Sequence, residues 1–155
     1  MIIDALLALS GSISGNTVTG QAVFASGASV LSTNTVDLGT ARDIGEGSDY
    51  AFGRIEVTTA FAGGTSAEFQ IITADDAALT TNVKVLGSTG AIPVASLTAG
   101  ARFVCEINPV IGTKGQRYVG GRTVNVGANT AGSIYADIGA EVQDFKTYAV
   151  GFAVL

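Results

Sequence analysis

Arg54-Ile55-Glu56-Val57-Thr58 is a segment in which polar and apolar side chains alternate strictly. Successive side chains of a β-strand point to opposite faces, so this alternation predicts a strand with one buried and one solvated face. The same period of two recurs at 36–38, 68–71, 83–85, 102–107, 124–126 and 134–138. Since no helical patterns alternate with these runs, we expect an all-β chain with antiparallel sheets.

Turn signals separate these runs. Clusters rich in Gly, Ser, Thr and Asn stand at 45–48, 62–65, 87–90, 112–115 and 127–130. Roughly seven or eight short strands joined by turns suit a jelly roll or an immunoglobulin-like sandwich. The chain has one cysteine and no tryptophan, so the paired cysteines and core tryptophan of the immunoglobulin type are absent.

Three segments are predicted within a single domain of 155 residues. Residues 1–31 form an N-terminal arm with a Ser/Gly/Thr-rich extended segment, 32–144 form the β-sandwich, and 145–155 form an apolar C-terminal extension. In that extension Phe152 belongs to an alternating run whose two faces are both apolar. Because an uncovered apolar terminus favours aggregation, the extension is either an interior strand or an insertion into a neighbouring subunit.

Charge is sparse, at 14% of residues, with a net charge of −5. Eight basic residues are scattered between Arg42 and Lys146, whereas nucleic-acid binding needs clustered cations, so no nucleic-acid partner is expected.

The apolar leader Met1 to Leu9 lacks a basic start and is interrupted by Asp4, unlike a signal peptide. No run reaches about 18 apolar residues, so we expect no membrane span and an unprocessed protein made in the cytoplasm.

The residue inventory argues against catalysis. The chain has no histidine, which rules out Ser-His-Asp and Cys-His arrangements and the common zinc sites. Cys105 alternates in phase with Phe103 and Ile107 and is expected to be a small buried hydrophobe. The acidic residues at 37, 43, 46 and 49 and at 75–76 match no calcium loop, and a solvated loop paired with Arg42 and Arg54 is the simpler expectation. We expect no enzyme activity and no cofactor.

A series of short motifs carries a family resemblance. In chain order they are Met1-Ile2-Ile3-Asp4-Ala5, Ser32 to Gly39, Arg42 to Gly47, Phe69 to Thr73, Ile92-Pro93, Leu97 to Gly100, Gly115 to Tyr118 and Thr130 to Gly132. In this order they resemble the small capsid cement (decoration) proteins of tailed double-stranded DNA bacteriophages. The resemblance covers most of residues 1–9 and 32–144. It departs from the family in the long segment 10–31 and in the tail beyond Asp144.

The resemblance implies a jelly-roll fold and a structural role in the virion. Such proteins form homo-oligomers, here a dimer or trimer, on the outer capsid surface. They bridge neighbouring copies of the major capsid protein and stabilise the shell. The alternative is a carbohydrate-binding or fibre-type β-module of the virion.

Partner contacts are expected in the leader, in an acidic loop, at one strand start and in the tail. The residues concerned are Ile2, Ile3, Leu6, Leu7, Arg42, Asp43, Glu46, Arg117, Tyr118 and Phe152. For each set except the tail, the alternative interpretation is a contact within the chain itself. The leader packs on its own domain, the acidic loop forms an internal salt-bridge network, or Arg117 and Tyr118 occupy a strand-end core position.

Overall fold

The computed structural model describes residues 5–15, 17–42, 44, 51–108 and 116–139. These residues form twelve strands and two short 3₁₀ turns, with no α-helix among them. The turns are Ala5–Leu7 and Val94–Ser96, and the second begins directly after Pro93. The strands are β1 Ala8–Ser10, β2 Ser12–Ser14, β3 Thr17–Thr19, β4 Gln21–Ala22, β5 Ser29–Leu31, β6 Val36–Asp37, β7 Phe52–Gly63, β8 Ser66–Ala74, β9 Lys84–Pro93, β10 Arg102–Glu106, β11 Tyr118–Val126 and β12 Asn129–Gly139.

Two antiparallel sheets form a sandwich. In the first sheet the order is β1-β12-β7-β10, and β4 also pairs with β12. In the second sheet the order is β5-β11-β8-β9, and β6 also pairs with β11. We count β1 with β4 as one interrupted strand and β5 with β6 as another, which leaves eight strands numbered in chain order. The order across the first sheet is then 1-8-3-6, and the order across the second sheet is 2-7-4-5. This is the strand order of a jelly roll, so the predicted jelly-roll-like antiparallel sandwich is confirmed.

The core lies between the sheets and is built from the apolar phase of each alternating run. Ile55 and Val57 from β7 meet Phe69 and Ile71 from β8, and Cys105 from β10 is 3% exposed. Burial of Cys105 confirms the expectation for that residue. Arg54, Glu56 and other members of the opposite phase point away from the cluster, as period-two alternation requires.

A glycine on β7 permits close packing between the two sheets. Gly53 lies opposite Cys105 in the pairing of β7 with β10. A Cβ atom at position 53 would lie 2.5 Å from Cγ1 of Ile71 and 2.9 Å from Sγ of Cys105. Close packing at this point therefore depends on the absence of a side chain.

A second, smaller apolar cluster covers the outer face of the second sheet. Ile72 and Ala74 point away from the main core and pack under Leu79. Leu79 lies in the connection between β8 and β9, which Asp76 holds in shape by accepting hydrogen bonds from the Thr80 and Thr81 N–H groups at 3.0 and 2.6 Å. The loop thus shields a patch that would otherwise be exposed.

The segment 8–31, predicted to be part of an arm outside the sandwich, contributes strands to both sheets. Backbone pairing joins β1 and β4 to β12, and β5 to β11. The boundary expected at residue 31 therefore falls inside the sandwich. Ladder hydrogen bonds come from the backbone, so a Ser/Gly/Thr-rich sequence can pair at a sheet edge without a strong strand pattern. The tail 145–155 lies outside the described residues. None of the helical turns in the described part is long and apolar enough to cross a membrane.

Candidate partner-binding end of the sandwich

An open apolar groove of about 220 Å³ lies at one end of the sandwich, where β11 begins and β12 ends. Strands of both sheets reach this end, so the groove opens between the two layers. Its lining is made of apolar side chains and one glycine: Leu7, Val36, Leu38, Ile44, Ala51, Val119, Ile138 and Gly139. Such a groove accepts an apolar group more readily than a polar one.

The leader reaches this groove through the turn before β1. Leu9 is fully buried in the core, whereas Leu7 is half-buried and lines the groove. Leu6, beside it in the chain, is 84% exposed. The leader therefore both packs on its own domain and presents an apolar side chain to solvent. Ile2 and Ile3 lie outside the described residues.

A polar rim borders the groove on the side of the second sheet. Nε and Nη2 of Arg117 donate to the two carboxylate oxygens of Asp37, each at 2.7 Å. This contact, together with a 2.8 Å hydrogen bond from the Gly39 N–H, lowers the pKa of Asp37 from 3.8 to about 2. The Arg117 guanidinium also lies over the Tyr118 ring, 5.1 Å from its centroid.

Arg42 belongs to the same rim. Its Nη2 donates to the Leu38 carbonyl at 2.8 Å, and the Leu38 N–H in turn donates to the Arg117 carbonyl at 2.9 Å. Four of the residues predicted to bind partners, Leu7, Arg42, Arg117 and Tyr118, thus meet at one end of the molecule. Asp43, Glu46 and Phe152 lie outside the described residues.

The apolar residues that make this end a groove were not predicted from the sequence. Val36, Leu38 and Ile138 were recognised as strand positions but not as lining residues. A sequence signal existed, because the apolar phase of these runs continues to the strand end, where core packing is incomplete. Side-chain alternation cannot predict that strand ends from opposite sheets meet at this end of the molecule.

A buried ion pair on the first sheet serves the fold. Nε and Nη2 of Arg54 donate to the Asp137 carboxylate at 2.7 and 2.6 Å, and both residues are buried. The expected pairing of Arg54 with the acidic loop is thus replaced by a pair with a residue 83 positions further along the chain. Burial, with the neighbouring Asp137, raises the pKa of Tyr135 to about 12. Within the described ranges no cluster of three or more His, Cys, Asp or Glu side chains is placed to hold a metal ion.

Comparison with known proteins gives one family. A search of curated proteins finds no match to the chain. The model of the Bbp16 family matches residues 17–138, which is well over half of the sequence and spans β3 to β12. That range includes most of both sheets and the polar rim. The chain therefore belongs to the Bbp16 family, a family of phage proteins.

Proposed function

We propose that the chain is a capsid cement protein that binds the outer surface of a phage head, bridges neighbouring copies of the major capsid protein and stabilises the shell. The observation that carries the proposal is the meeting of Leu7, Arg42, Arg117 and Tyr118 around an apolar groove at one end of a jelly roll. Membership of a phage family and the resemblance of the ordered motifs to cement proteins support the same role.

The groove has the size of a receptor for one large apolar side chain. An engineered cavity of about 150 Å³ binds benzene, and this groove measures about 220 Å³. We assign it to an apolar side chain of the major capsid protein. Leu6 adds exposed apolar area beside it. Specific interfaces bury more than about 1,000 Å² in total, so the groove is the centre of a contact that includes the rim.

The rim residues are fixed by contacts with one another and carry little net charge to attract a charged partner. Arg117 and Asp37 neutralise each other, and the guanidinium stacks on Tyr118. Arg and Tyr are enriched among residues that dominate binding energy. Repetition on a lattice lets each contact be weak while the array is stable. A protein that binds the assembled shell but not its dissociated subunits raises the stability of the shell by mass action.

The test is co-sedimentation of the purified chain with empty phage heads that lack it, followed by heating of the shells. We expect saturable binding at a fixed ratio and a higher temperature of shell disruption. Leu6→Asp should lower occupancy, because it places a charge on the 84% exposed leader position. Val126→Asp is the matched control, since Val126 is 49% exposed at the far end of β11 from Tyr118.

Two outcomes would count against the role. If the wild-type chain shows no saturable binding, the cement function is refuted and the glycan-binding or fibre-type alternative gains ground. If binding is saturable but Val126→Asp weakens it as much as Leu6→Asp, the groove end is not the contact surface.

A further inference from the structure

A series of side-chain hydrogen bonds crosses the outer face of the second sheet. Arg122 on β11 lies opposite Gln70 on β8, and its Nε donates to the Gln70 side-chain carbonyl at 2.8 Å. The Gln70 amide in turn donates to Oε1 of Glu68 at 2.6 Å, and the Ser88 hydroxyl on β9 donates to the same oxygen at 2.6 Å. These four residues form the Glu68–Arg122 network, in which each polar group is held in one orientation by its neighbour.

The two ends of the network have hydrogen-bonding capacity that the chain itself does not use. Within the described residues, Arg122 makes no ion pair and its two Nη groups have no hydrogen-bond partner. Oε2 of Glu68 likewise accepts no hydrogen bond there. Hydrogen bonds from Ser88 and Gln70, with the nearby charge of Arg122, lower the pKa of Glu68 below its usual value, so the carboxylate is ionised at neutral pH. An oriented donor and an oriented acceptor thus occupy diagonal positions on adjacent strands, about 7–8 Å apart at the backbone.

Apolar side chains border the network on the same face. Leu31 lies opposite Arg122 on β5, and Val124, the next outward-facing residue of β11, lies opposite Glu68. Both apolar side chains are half-buried. A few placed polar groups among apolar surfaces are the combination that orients small ligands. Because the groove at the end of the sandwich is lined by inward-facing residues such as Val119, the two surfaces are separate.

The charges of the network favour an uncharged ligand. A guanidinium only donates hydrogen bonds and an ionised carboxylate only accepts them, whereas a hydroxyl group does both. An anion that is attracted by Arg122 is repelled by Glu68 and by the net charge of −5, and a cation that is attracted by Glu68 is repelled by Arg122. A neutral molecule with several hydroxyl groups satisfies both ends of the network without either repulsion.

We propose that the Glu68–Arg122 network is a binding site for a neutral saccharide. Sugar hydroxyls accept hydrogen bonds from the Nη groups of Arg122 and donate to Oε2 of Glu68, and the C–H face of the sugar ring packs on Val124. Gln70 and Ser88 are positioning residues, because they fix the guanidinium and the carboxylate. This inference does not depend on the proposed role at the phage head, since a chain held by its groove end leaves this face free.

The test uses an array of immobilised neutral oligosaccharides of glucose, galactose and mannose, with oligosaccharides of galacturonic acid as the anionic comparison. We expect the full chain to bind a neutral member. Glu68→Gln and Arg122→Gln should each weaken binding roughly ten- to a hundredfold, the range for loss of a charged hydrogen bond. Glu56→Gln and Arg102→Gln are the matched controls, because these residues form an exposed ion pair on the other sheet and the charge changes are the same.

NMR titration of the labelled wild-type chain with the bound neutral oligosaccharide locates the site without any substitution. We expect backbone amide shifts confined to β8, β9 and β11 around the network. Shifts elsewhere would contradict the proposal, as would equal weakening by the network variants and their controls.

Three results on the array would overturn the proposal. The first is that no neutral oligosaccharide binds. The second is a preference for galacturonic acid that depends on Arg122 and not on Glu68, which would make the ligand an anion. The third is that no saccharide binds while the network variants lower occupancy on empty phage heads, which would make this face a protein contact.

Discussion

Removal of the Asp137 carboxylate is expected to be among the most damaging single changes on the first sheet. Asp137 and Arg54 are 2% and 8% exposed, and two hydrogen bonds of 2.6 and 2.7 Å join them. In Asp137→Ala the guanidinium keeps its burial and loses a paired carboxylate. Breaking a buried pair from one side costs about 3–5 kcal/mol. At about 2–4 °C per kcal/mol for a chain of this size, the Tm should fall by roughly 6–20 °C.

A neighbouring ion pair on the same sheet provides the control. Glu56 and Arg102 form a cross-strand salt bridge at 3.0 Å, and their side chains are 39% and 47% exposed. An exposed pair of this kind contributes about 0–1 kcal/mol, so Glu56→Ala should change stability little. Replacement of both buried partners, as in Arg54→Met with Asp137→Leu, should recover most of the loss because no buried charge remains unpaired.

Urea unfolding followed by circular dichroism measures these free energies, provided that the slope with denaturant is the same for all variants. A cost of less than about 1 kcal/mol for Asp137→Ala, the level of an exposed pair, would contradict this prediction. A double replacement as unstable as Asp137→Ala would also contradict it, because the loss would then come from packing and not from an unpaired charge.

Three further changes have definite expected outcomes. Gly53→Ala should lower the free energy of unfolding by about 1–3 kcal/mol, because the added methyl group overlaps Ile71, and unchanged urea stability would contradict this. Asp37→Asn should lower Tm above pH 3.8, and the difference from wild type should shrink as the pH falls toward 2 and vanish below it, because a carboxyl with a lowered pKa stabilises the fold only while it is ionised. A Tm difference that persists undiminished well below pH 2 would show that Asp37 acts otherwise than through its charge. Alkylation of Cys105 should require unfolding, because burial both shields the thiol and raises its pKa, and fast labelling of the native protein would be the contrary result.

The sandwich could be predicted from the sequence wherever side-chain alternation reports burial. Ile55, Val57 and Phe69 face the core as their phase indicates. The edge strands β1, β4 and β5 were missed as sheet members, since their pairing is a backbone property and their side chains are small and polar. The ion pair of Arg54 with Asp137 could not be predicted from the sequence either. Nothing near Arg54 in the sequence points to Asp137, and only the register of β7 with β12 brings them together.

The arginines narrow the ways in which this chain can recognise a partner. All five lie in the described part of the chain, and each makes a hydrogen bond within it: Arg42 to the Leu38 carbonyl, Arg54 to Asp137, Arg102 to Glu56, Arg117 to Asp37 and Arg122 to Gln70. Arg54, Arg102 and Arg117 are each paired with a carboxylate, so an external phosphate or carboxylate would have to compete with that partner for the charge of the guanidinium. Recognition through apolar area does not involve that competition. The groove end is where the described structure offers such apolar area, and its shape suits an inserted side chain.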